Sequence, residues 1–306
     1  MFETRSEVAQ LLAVAGEGRI VAAAVRLAMT QPALTRAIAK LERRAGGALF
    51  ERLPTGVRLT ALGTVAVERA RRLASEFADT DEHIGEALAG RGGRLRVSAA
   101  PLWMRAVVAP AALRFQESCP GVGLTLRGAA FAEGVRLLAD GAVDLHCGGI
   151  DDGQGLPAFL RREPLLRDTA GIVARRDHPL QSARPTPGDL VRHPWLDCYA
   201  PAPAGGPGPS LASVLERLRE RTGERAGPVL RAGGAGLLLL AHGPWLSWVP
   251  FAFLARLPAL GLKPLPLTFG RRHCRSGLVA RRAAEDLQPM RLFEDIVRDI
   301  ALERTG

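Results

Sequence analysis

The most regular hydrophobic pattern in the chain lies between residues 29 and 60. Apolar residues recur there at spacings of four, three and four, and they are Leu34, Ile38, Leu41 and Ala45. This spacing predicts a helix with one apolar face. Thr30 stands where a side chain can cap the first turn, and Pro32 lies where a helix needs no amide donor. Gly46 and Gly47 end the predicted helix.

Another face of the same helix is basic. Its charged residues repeat at helical spacing, and they are Arg36, Lys40 and Arg43. Gln31 and Thr35 lie near the start of this face. Just upstream, residues 20–28 predict a short helix of small side chains, which can cross a neighbouring helix closely. Two helices joined by a few residues are typical of the helix-turn-helix.

A basic hairpin is predicted directly after this pair of helices. A Pro-Thr-Gly turn separates two short extended segments, with Arg52 before the turn and Arg58 after it. Such a hairpin forms a wing, so the second helix would lie in the major groove while wing arginines hold phosphates. A single basic amphipathic helix is more often only a solvated surface. The ordered series of two helices and a basic hairpin favours nucleic-acid binding instead.

Residues 61–89 predict one long helix without proline. Its apolar residues fall near spacings of three and four, and they are Leu62, Ala66, Ala70, Leu73, Phe77, Ile84 and Leu88. Charged residues fill the other faces. The pattern suits a helix that pairs with a second copy of itself, and the alternative is a helix that packs on its own domain. The glycine-rich segment 90–94 then marks a linker.

Strands and helices alternate after this linker. Strands are predicted at residues 95–100 and 122–128 and from Asp144 to Gly149, with helices between them, the second over residues 131–141. This alternation predicts a parallel sheet with helical crossovers, in which ligands bind beyond the carboxyl ends of the strands.

The second half of the chain predicts a further lobe and two crossings. The segment that follows Glu163 would carry the chain into the second lobe. That lobe would contain a helix and a strand within residues 186–200, a turn-rich loop at 201–210 and a helix at 210–223. Residues 260–267 would return the chain to the first lobe, which a strand and a C-terminal helix complete.

Composition agrees with several domains and a polyanionic partner. The chain has 306 residues, of which 47% are hydrophobic, and a formal net charge of +10. This length favours two or three domains, and the basic balance favours polyanions. No signal peptide or membrane-spanning run is evident, so a soluble, cytoplasmic protein is expected. The cysteines lack metal-ligand or redox spacing and are expected to be reduced; they are Cys119, Cys147, Cys198 and Cys274.

The N-terminal part resembles the LysR-type transcriptional regulators. The matching residues run without a gap through both predicted helices and the hairpin: Gly18, Ala23, Ala24, Leu27, Thr30, Gln31, Pro32, Ala33, Leu34, Thr35, Ile38, Leu41, Glu42, Gly46, Leu49, Phe50, Glu51, Arg52, Gly56, Val57, Arg58, Leu59 and Thr60. One departure is Arg19, because the family usually has a serine there that caps the first helix of the pair.

The remainder resembles the effector domain of the same family, in which two lobes are joined by two crossings. The matching residues include Leu95, Arg96, Val97, Pro110, Phe115, Pro120, Leu138, Gly141, Asp144, Leu145, Pro164, Leu165, His178, Pro179, Leu180, Gly277, Leu278, Arg281, Arg282 and Pro289. With the N-terminal part, the resemblance covers nearly the whole chain. Residues 195–265 match least specifically.

The resemblance implies a fold of three parts. These are an all-α winged helix-turn-helix (1–60), a long linker helix that forms dimers (61–90) and an α/β, periplasmic-binding-protein-like effector domain (94–306). The two lobes of that domain would be residues 94–164 with 266–306, and residues 165–265. The implied function is sequence-specific control of transcription, switched by a small-molecule effector between the lobes.

The resemblance also implies the partners of the chain. They would be double-stranded promoter DNA, the effector, a second copy of the chain in dimers and tetramers, and RNA polymerase, with no membrane. No cofactor, metal site or catalytic residue is predicted, because the histidines are scattered and no reactive cluster occurs. A solute-binding protein without DNA function and an enzyme on a two-lobed scaffold are the alternatives.

Three sets of site residues follow. The predicted DNA-binding residues are Thr30, Gln31, Pro32, Thr35, Arg36, Lys40, Arg52 and Arg58. The predicted effector-binding residues are Ser98, Ala100, Pro101, Leu102, Phe131, Gly148, Gly149, Tyr199, Ala200 and Pro201. The predicted dimer contacts are Ala66, Ala70, Leu73, Phe77, Ile84 and Leu88.

The character of the ligand is predicted from two of these positions. Members of the family that bind carboxylates often have Ser or Thr in the first two loops, where this chain has Leu102 and Phe131. We therefore expect a partly apolar ligand rather than a small dicarboxylate, with Ser98 as the alternative polar contact.

Overall fold

The computed structural model describes residues 1–88, 93–150, 155–182, 184–198, 210–232, 235–252, 254, 257–267, 269–282 and 287–303, with the backbone alone for residues 79 and 82–88. The chain divides into two compact units. The first is made of Met1–Arg91 and Ala139–Ala142, and the second of Gly92–Leu138 and Val143–Gly306.

The first unit consists of helices and one hairpin. In chain order its elements are α1 (Arg5–Glu17), α2 (Ile20–Arg26), α3 (Gln31–Ala45), β1 (Phe50–Leu53), β2 (Gly56–Leu59) and α4 (Ala61–Leu88). The bounds of α3 agree with the prediction from its apolar spacing. Its residues Leu34 and Leu41 are wholly buried, together with Leu11 and Val14 of α1 and Ala23 of α2. The apolar stripe of α3 therefore faces the core of its own unit.

Helix α4 closes the same core with part of the apolar stripe that was predicted to form dimer contacts. Ala66 and Ala70 are buried in the core of the first unit, and Leu73 and Phe77 pack against it. The guanidinium of Arg5 on α1 lies 5.8 Å from the ring centroid of Phe77. This part of the stripe packs mainly on α1. Ile84 and Leu88 have side chains outside the described residues.

The second unit alternates strands and helices. Its first part contains β3 (Arg94–Ala99), α5 (Pro101–Trp103), a π-helical stretch (Met104–Val108), α6 (Ala109–Ser118), β4 (Gly123–Gly128), α7 (Phe131–Ala139), β5 (Leu145–Gly149) and β6 (Leu160–Arg175). Its second part contains α8 (Pro187–Val191), β7 (Trp195–Asp197), α9 (Leu211–Thr222), β8 (Val229–Arg231), α10 (Gly236–His242), β9 (Ser247–Pro250), β10 (Leu262–Pro264), β11 (Arg272–Arg281) and α11 (Gln288–Leu302).

The main sheet has the strand order β10-β6-β11-β5-β3-β4, and β9 also pairs with β6. Strand β3 is parallel to both β4 and β5, which confirms the predicted parallel part. Strand β11 is antiparallel to β5 and β6, so the sheet is mixed. The two long strands β6 and β11 pair with each other and connect the part of the sheet with β5, β3 and β4 to the part with β9 and β10, so they are the crossings between the lobes.

Buried apolar residues hold the two lobes together along these crossings. One cluster contains Phe115 and Phe293 of the first lobe and continues to Val249 of β9. A second cluster, around Trp195 and Leu246, belongs to the second lobe. Among the helices described, none combines the length and apolar character that crossing a bilayer needs.

Ion pairs fasten the crossings to the first lobe. Arg298 of α11 donates to Glu163 of β6 over 2.8 Å, and Arg281 of β11 donates to Asp144 over 2.6 Å. Arg96 also bonds Asp144, at 2.9 Å. Burial alone would raise the pKa of Asp144, but these arginines outweigh it, and the pKa lies below its usual value. The carboxylate therefore stays charged and joins β3, β5 and β11.

Candidate nucleic-acid interface and ligand cleft

Helix α3 presents a polar surface at its N-terminal end. The Thr30 side chain accepts a hydrogen bond from the amide of Ala33 at 3.4 Å, which is the predicted cap. Gln31, Pro32 and Arg36 are exposed, and Thr35 is half-buried. Arg36 has no ion-pair partner in the described part of the chain. Arg36 and Pro32 lie on the side of α3 opposite its buried residues, and Gln31 is exposed because it stands in the first turn, so these side chains are free to meet a ligand.

The turn between α2 and α3 is tight and strained. Ala23 and Ala24 are buried, so α2 can cross α3 closely as their small side chains predicted. Ala28 has φ of 52°, a left-handed conformation that costs an alanine roughly 1–2 kcal/mol. The amide of Met29 donates to the carbonyl of Ala24 at 2.9 Å and closes the turn. Arg19 precedes α2 without capping it, as its departure from serine predicted.

Lys40 lies beside the carboxylate of Glu7, and the sequence pattern did not predict this contact. Its Nζ is 3.5 Å from Oε1 of Glu7, which also forms an ion pair with Arg44. The amide of Glu3 donates to Glu7 at 2.8 Å, and this bond, with both cations, lowers the pKa of Glu7 to about 2 despite partial burial. Lys40 thus has its charge partly balanced within the unit, unlike Arg36.

The hairpin is held at a fixed place beside α3. Strands β1 and β2 pair antiparallel, with Phe50 opposite Leu59. A side chain on Gly56 would come within 2.3 Å of the carbonyl oxygen of Gly18, and the amide of Val57 donates to that oxygen at 2.8 Å. Glu42 of α3 accepts from the amide of Leu49 at 2.9 Å. The wing is therefore anchored both to the end of α1 and to α3.

The two wing arginines differ in their surroundings. Arg58 forms an exposed ion pair with Glu51 on the opposite strand, at 2.7 Å. Arg52 is exposed and lies opposite Val57 in the hairpin register. An exposed ion pair is worth little, so Arg58 can exchange its partner for a phosphate at small cost.

In the second unit, the predicted effector residues lie at the carboxyl ends of β3 and β5, but their side chains are unequally accessible. Ala100 and Gly148 are buried next to each other, and Gly149 is exposed. Leu102 is only 1% exposed and packs in the core, because α5 turns it inward. Its side chain therefore offers no ligand surface, which removes one of the two reasons for expecting an apolar ligand.

Ser98 and Phe131 belong to a buried arrangement around His146. The Ser98 hydroxyl lies 3.0 Å from Nδ1 of His146, and the rings of Phe131 and His146 meet edge to face at 6.2 Å. Burial lowers the pKa of His146 to about 4, so its imidazole is neutral. A side chain on Gly134 of α7 would come within 2.2 Å of Nδ1. His146 was not singled out from the sequence. Tyr199, Ala200 and Pro201 lie outside the described residues.

A cavity of about 670 Å³ lies along the crossing strands. Its lining residues come from the middle of β6 and the start of β11, and they are Arg167, Asp168, Thr169, His273, Cys274 and Arg275. No local pattern in the sequence marks these residues as a site. Each strand carries only a short polar run, and their proximity depends on the pairing of two distant strands.

Two of the four cysteines have the character of structural thiols. No disulfide joins cysteines within the described residues, and Cys147 and Cys198 are buried. Burial raises the pKa of the Cys147 thiol, and it raises the pKa of Cys198 to about 11. Since the thiolate is the reactive form, these two thiols are poorly reactive.

Comparison with known proteins matches both units. The family model described as "LysR substrate binding domain" matches residues 88–301, and "Bacterial regulatory helix-turn-helix protein, lysR family" matches residues 7–64. The chain is 31% identical over 300 residues to the SDS degradation transcriptional activation protein of Pseudomonas sp. (strain ATCC 19151), covering 93% of this chain and 94% of that protein.

Three further similarities concern the sequence of part of the chain and the fold. It is 47% identical over 87 residues to the HTH-type transcriptional regulator ClcR of Pseudomonas putida, which covers 28% of this chain and 30% of that one. Its fold is similar to the crystal structure of ArgP from Mycobacterium tuberculosis (TM-score 0.62, 21% identity, 99% and 98% covered). It is also similar to full-length CbnR complexed with target DNA (TM-score 0.59, 22% identity, 97% and 100% covered).

Proposed function

The chain belongs to the LysR family of bacterial transcriptional regulators, and we propose that it recognises promoter DNA through the N-terminal end of α3 and the wing. This family consists of regulators and not of enzymes. The observation that carries the proposal is the exposed group of Gln31, Pro32 and Arg36 on a capped helix whose other face is buried. The solved CbnR complex contains target DNA, which supports the same partner here.

The roles proposed for individual residues differ. Arg36, together with Gln31, would read base edges, because the start of a recognition helix comes closest to them. Arg58 and Arg52 of the wing would hold phosphates, which position the protein without reading sequence. Lys40 would contribute less than Arg36, because Glu7 already balances part of its charge.

Gel-shift titrations of matched and mismatched DNA sites test these roles. The first DNA to try is the region upstream of the gene for this protein and its neighbour. Arg36→Ala should cost about 1–3 kcal/mol on the specific site and relax base preference at one position. Arg58→Ala should weaken binding to all DNA alike. Equal losses for both variants on every DNA would refute the division of roles.

We propose that the regulator acts as a dimer, so that two recognition helices reach two half-sites. The contact would use the face of α4 that the unit leaves exposed, where Leu62 is 40% and Val65 is 54% exposed. Val65→Asp should lower the mass measured by light scattering while the helical content is kept. Leu73→Asp should instead unfold the first unit, because Leu73 packs on the core. Unchanged mass for Val65→Asp would place the contact elsewhere.

A small molecule bound between the lobes would switch the regulator. The solved structure of LysG from Corynebacterium glutamicum holds its effector Arg, which supports a ligand in the same kind of domain. A ligand shifts an equilibrium only through its difference in affinity for the two states. A 100-fold preference supplies about 2.7 kcal/mol, enough to reverse a balance near ten to one. We also propose that the dimers assemble into tetramers and that the regulator contacts RNA polymerase. Its location would be the cytoplasm, where the DNA is.

A further inference from the structure

Most of the excess positive charge of the chain lies outside the first unit. Residues 1–91 contain 13 arginines and lysines against 11 aspartates and glutamates, whereas residues 92–306 contain 28 against 20. This larger part of the chain therefore carries a formal charge of +8, although the residues proposed to read DNA all belong to the first unit. Such a charge indicates a polyanionic partner for the second unit as well.

Three of these arginines meet on the surface of the second lobe. Arg217 and Arg221 are one turn apart on α9, whose buried residues pack in the core of that lobe. The Arg221 guanidinium lies 4.6 Å from the ring centroid of Phe269, and Arg272 follows three residues later at the start of β11. Arg217 is half-buried, and the other two arginines are exposed. We call Arg217, Arg221 and Arg272 the arginine surface.

No ion pair among the described residues neutralises the arginine surface. On the same helix, Arg219 does pair with a carboxylate, that of Glu216, at 3.3 Å. Burial and then the charge of Arg272 lower the pKa of Arg217, while the charge of Glu220 acts in the opposite direction. The guanidinium groups of Arg217 and Arg272 are therefore close enough to repel each other. A bound anion would relieve this repulsion.

The arginine surface is chemically suited to phosphates. None of its residues lines the cavity on the crossing strands, so the two sites are separate. A guanidinium donates two parallel hydrogen bonds to phosphate oxygens, and lysine cannot reproduce this geometry. The Cβ atoms of residues four apart on a helix are about 6 Å apart. Arg217 and Arg221 therefore offer separate binding groups, as the successive phosphates of a nucleic-acid backbone require.

We propose that the arginine surface binds the phosphate backbone of duplex DNA outside the bases that α3 reads. This inference rests on the proposed function, in which the first unit holds promoter DNA. An acidic protein would present carboxylates to the same groups, but DNA is the polyanion that the same chain already holds. Because the two units are covalently joined, this DNA is at a high effective concentration for the second unit. Phosphate contacts add affinity without sequence preference and make binding more dependent on salt.

Gel-shift titrations of the full chain compare two double variants that lose the same charge. The first variant, Arg217→Gln with Arg272→Gln, removes two members of the arginine surface and leaves Arg221 in place. The control, Arg105→Gln with Arg176→Gln, removes two exposed arginines that form no ion pair among the described residues. Each protein is titrated at several salt concentrations with promoter DNA that carries the recognised site, and with DNA of equal length in which that site is altered.

The first variant should weaken binding to both DNAs by the same factor. We expect a loss of about threefold or more, and a slope of log affinity against log salt that is smaller by about one. The control should change either affinity by less than about twofold, because exposed charges far from the DNA are screened. The melting temperature of the first variant should not fall below that of wild type, since the substitutions remove a repulsion. A loss of DNA binding would then not come from unfolding.

Three results would overturn the proposal. Unchanged DNA binding by the first variant would do so and would leave an acidic protein as the partner that fits the arginine surface. Equal losses in both double variants would show only an effect of net charge, and a loss confined to the recognised site would contradict a phosphate contact. In each of these cases, a wild-type protein whose DNA binding depends on Arg36 keeps the proposed function. A wild-type protein that binds no DNA would contradict the proposed function as well.

Discussion

Replacement of Glu7 by glutamine should weaken the attachment of the recognition helix to α1. Glu7 is 8% exposed, accepts from the amide of Glu3 at 2.8 Å and pairs with Arg44 and Lys40 of α3. These contacts lower its pKa from the usual 4.5 to about 2. At about 1.4 kcal/mol per pKa unit, the full shift would correspond to roughly 3 kcal/mol. Since Lys40 is half exposed and solvent screens it, we expect Glu7→Gln to cost about 1–2 kcal/mol.

The pH dependence of the unfolding free energy provides a second test of this prediction. A carboxyl group with a lowered pKa stabilises the fold above its unfolded pKa, and this contribution disappears as pH falls through the folded value. The difference in unfolding free energy between wild type and Glu7→Gln should therefore be full at pH 6–7 and shrink from about pH 4.5 toward pH 2. Calorimetry of the full chain across this range measures it.

A matched variant on the same helix provides the control. Glu17 makes an exposed ion pair with Arg26 at 3.2 Å, so Glu17→Gln should change the free energy of unfolding by less than about 0.5 kcal/mol at any pH. A difference between wild type and Glu7→Gln that stays constant from pH 7 to pH 3 would refute the ionic explanation. Equal effects of both glutamine variants would refute the special role of Glu7.

Three further substitutions test local packing. Gly134→Ala places a methyl group against His146 and should cost about 1–3 kcal/mol in denaturant unfolding, with His146→Ala in the same chain restoring part of the loss; additive losses would contradict the overlap. Ala28→Gly should raise stability by about 0.5–1 kcal/mol, because it relieves a left-handed alanine, and a loss would show that the turn is not strained. Gly56→Ala should push the wing from the Gly18 carbonyl and reduce affinity for all DNA in gel shifts, with unchanged affinity as the contrary result.

The DNA-binding unit could be predicted from sequence because its signals are local. The cap at Thr30, the apolar spacing of α3 and the end at Gly46 all lie within one helix, and the structure has each of them. The apolar stripe of α4 is also evident from the sequence, but periodicity shows only which side of the helix is buried. It does not say whether a second copy or α1 covers Ala70, and α1 does.

The cavity on the crossing strands was harder to predict because its residues meet through long-range pairing. Leu102 follows a strand end, where a loop side chain was expected, but a helix starts at Pro101 and turns it into the core. Arg167 and Arg275 are far apart in the chain and become neighbours only through the register of two crossing strands. No local pattern fixes that register.

The burial of α4 in the first unit determines where this chain can be divided and rejoined. Ala66 and Ala70 complete the core of the first unit, and Phe77 still packs against it. A hybrid protein in which residues 1–60 are joined to the linker helix of another regulator would lose the α4 side chains that complete this core. A junction beyond Phe77 would transfer the first unit together with the part of α4 that closes its core, so exchange of the second unit would leave that core covered.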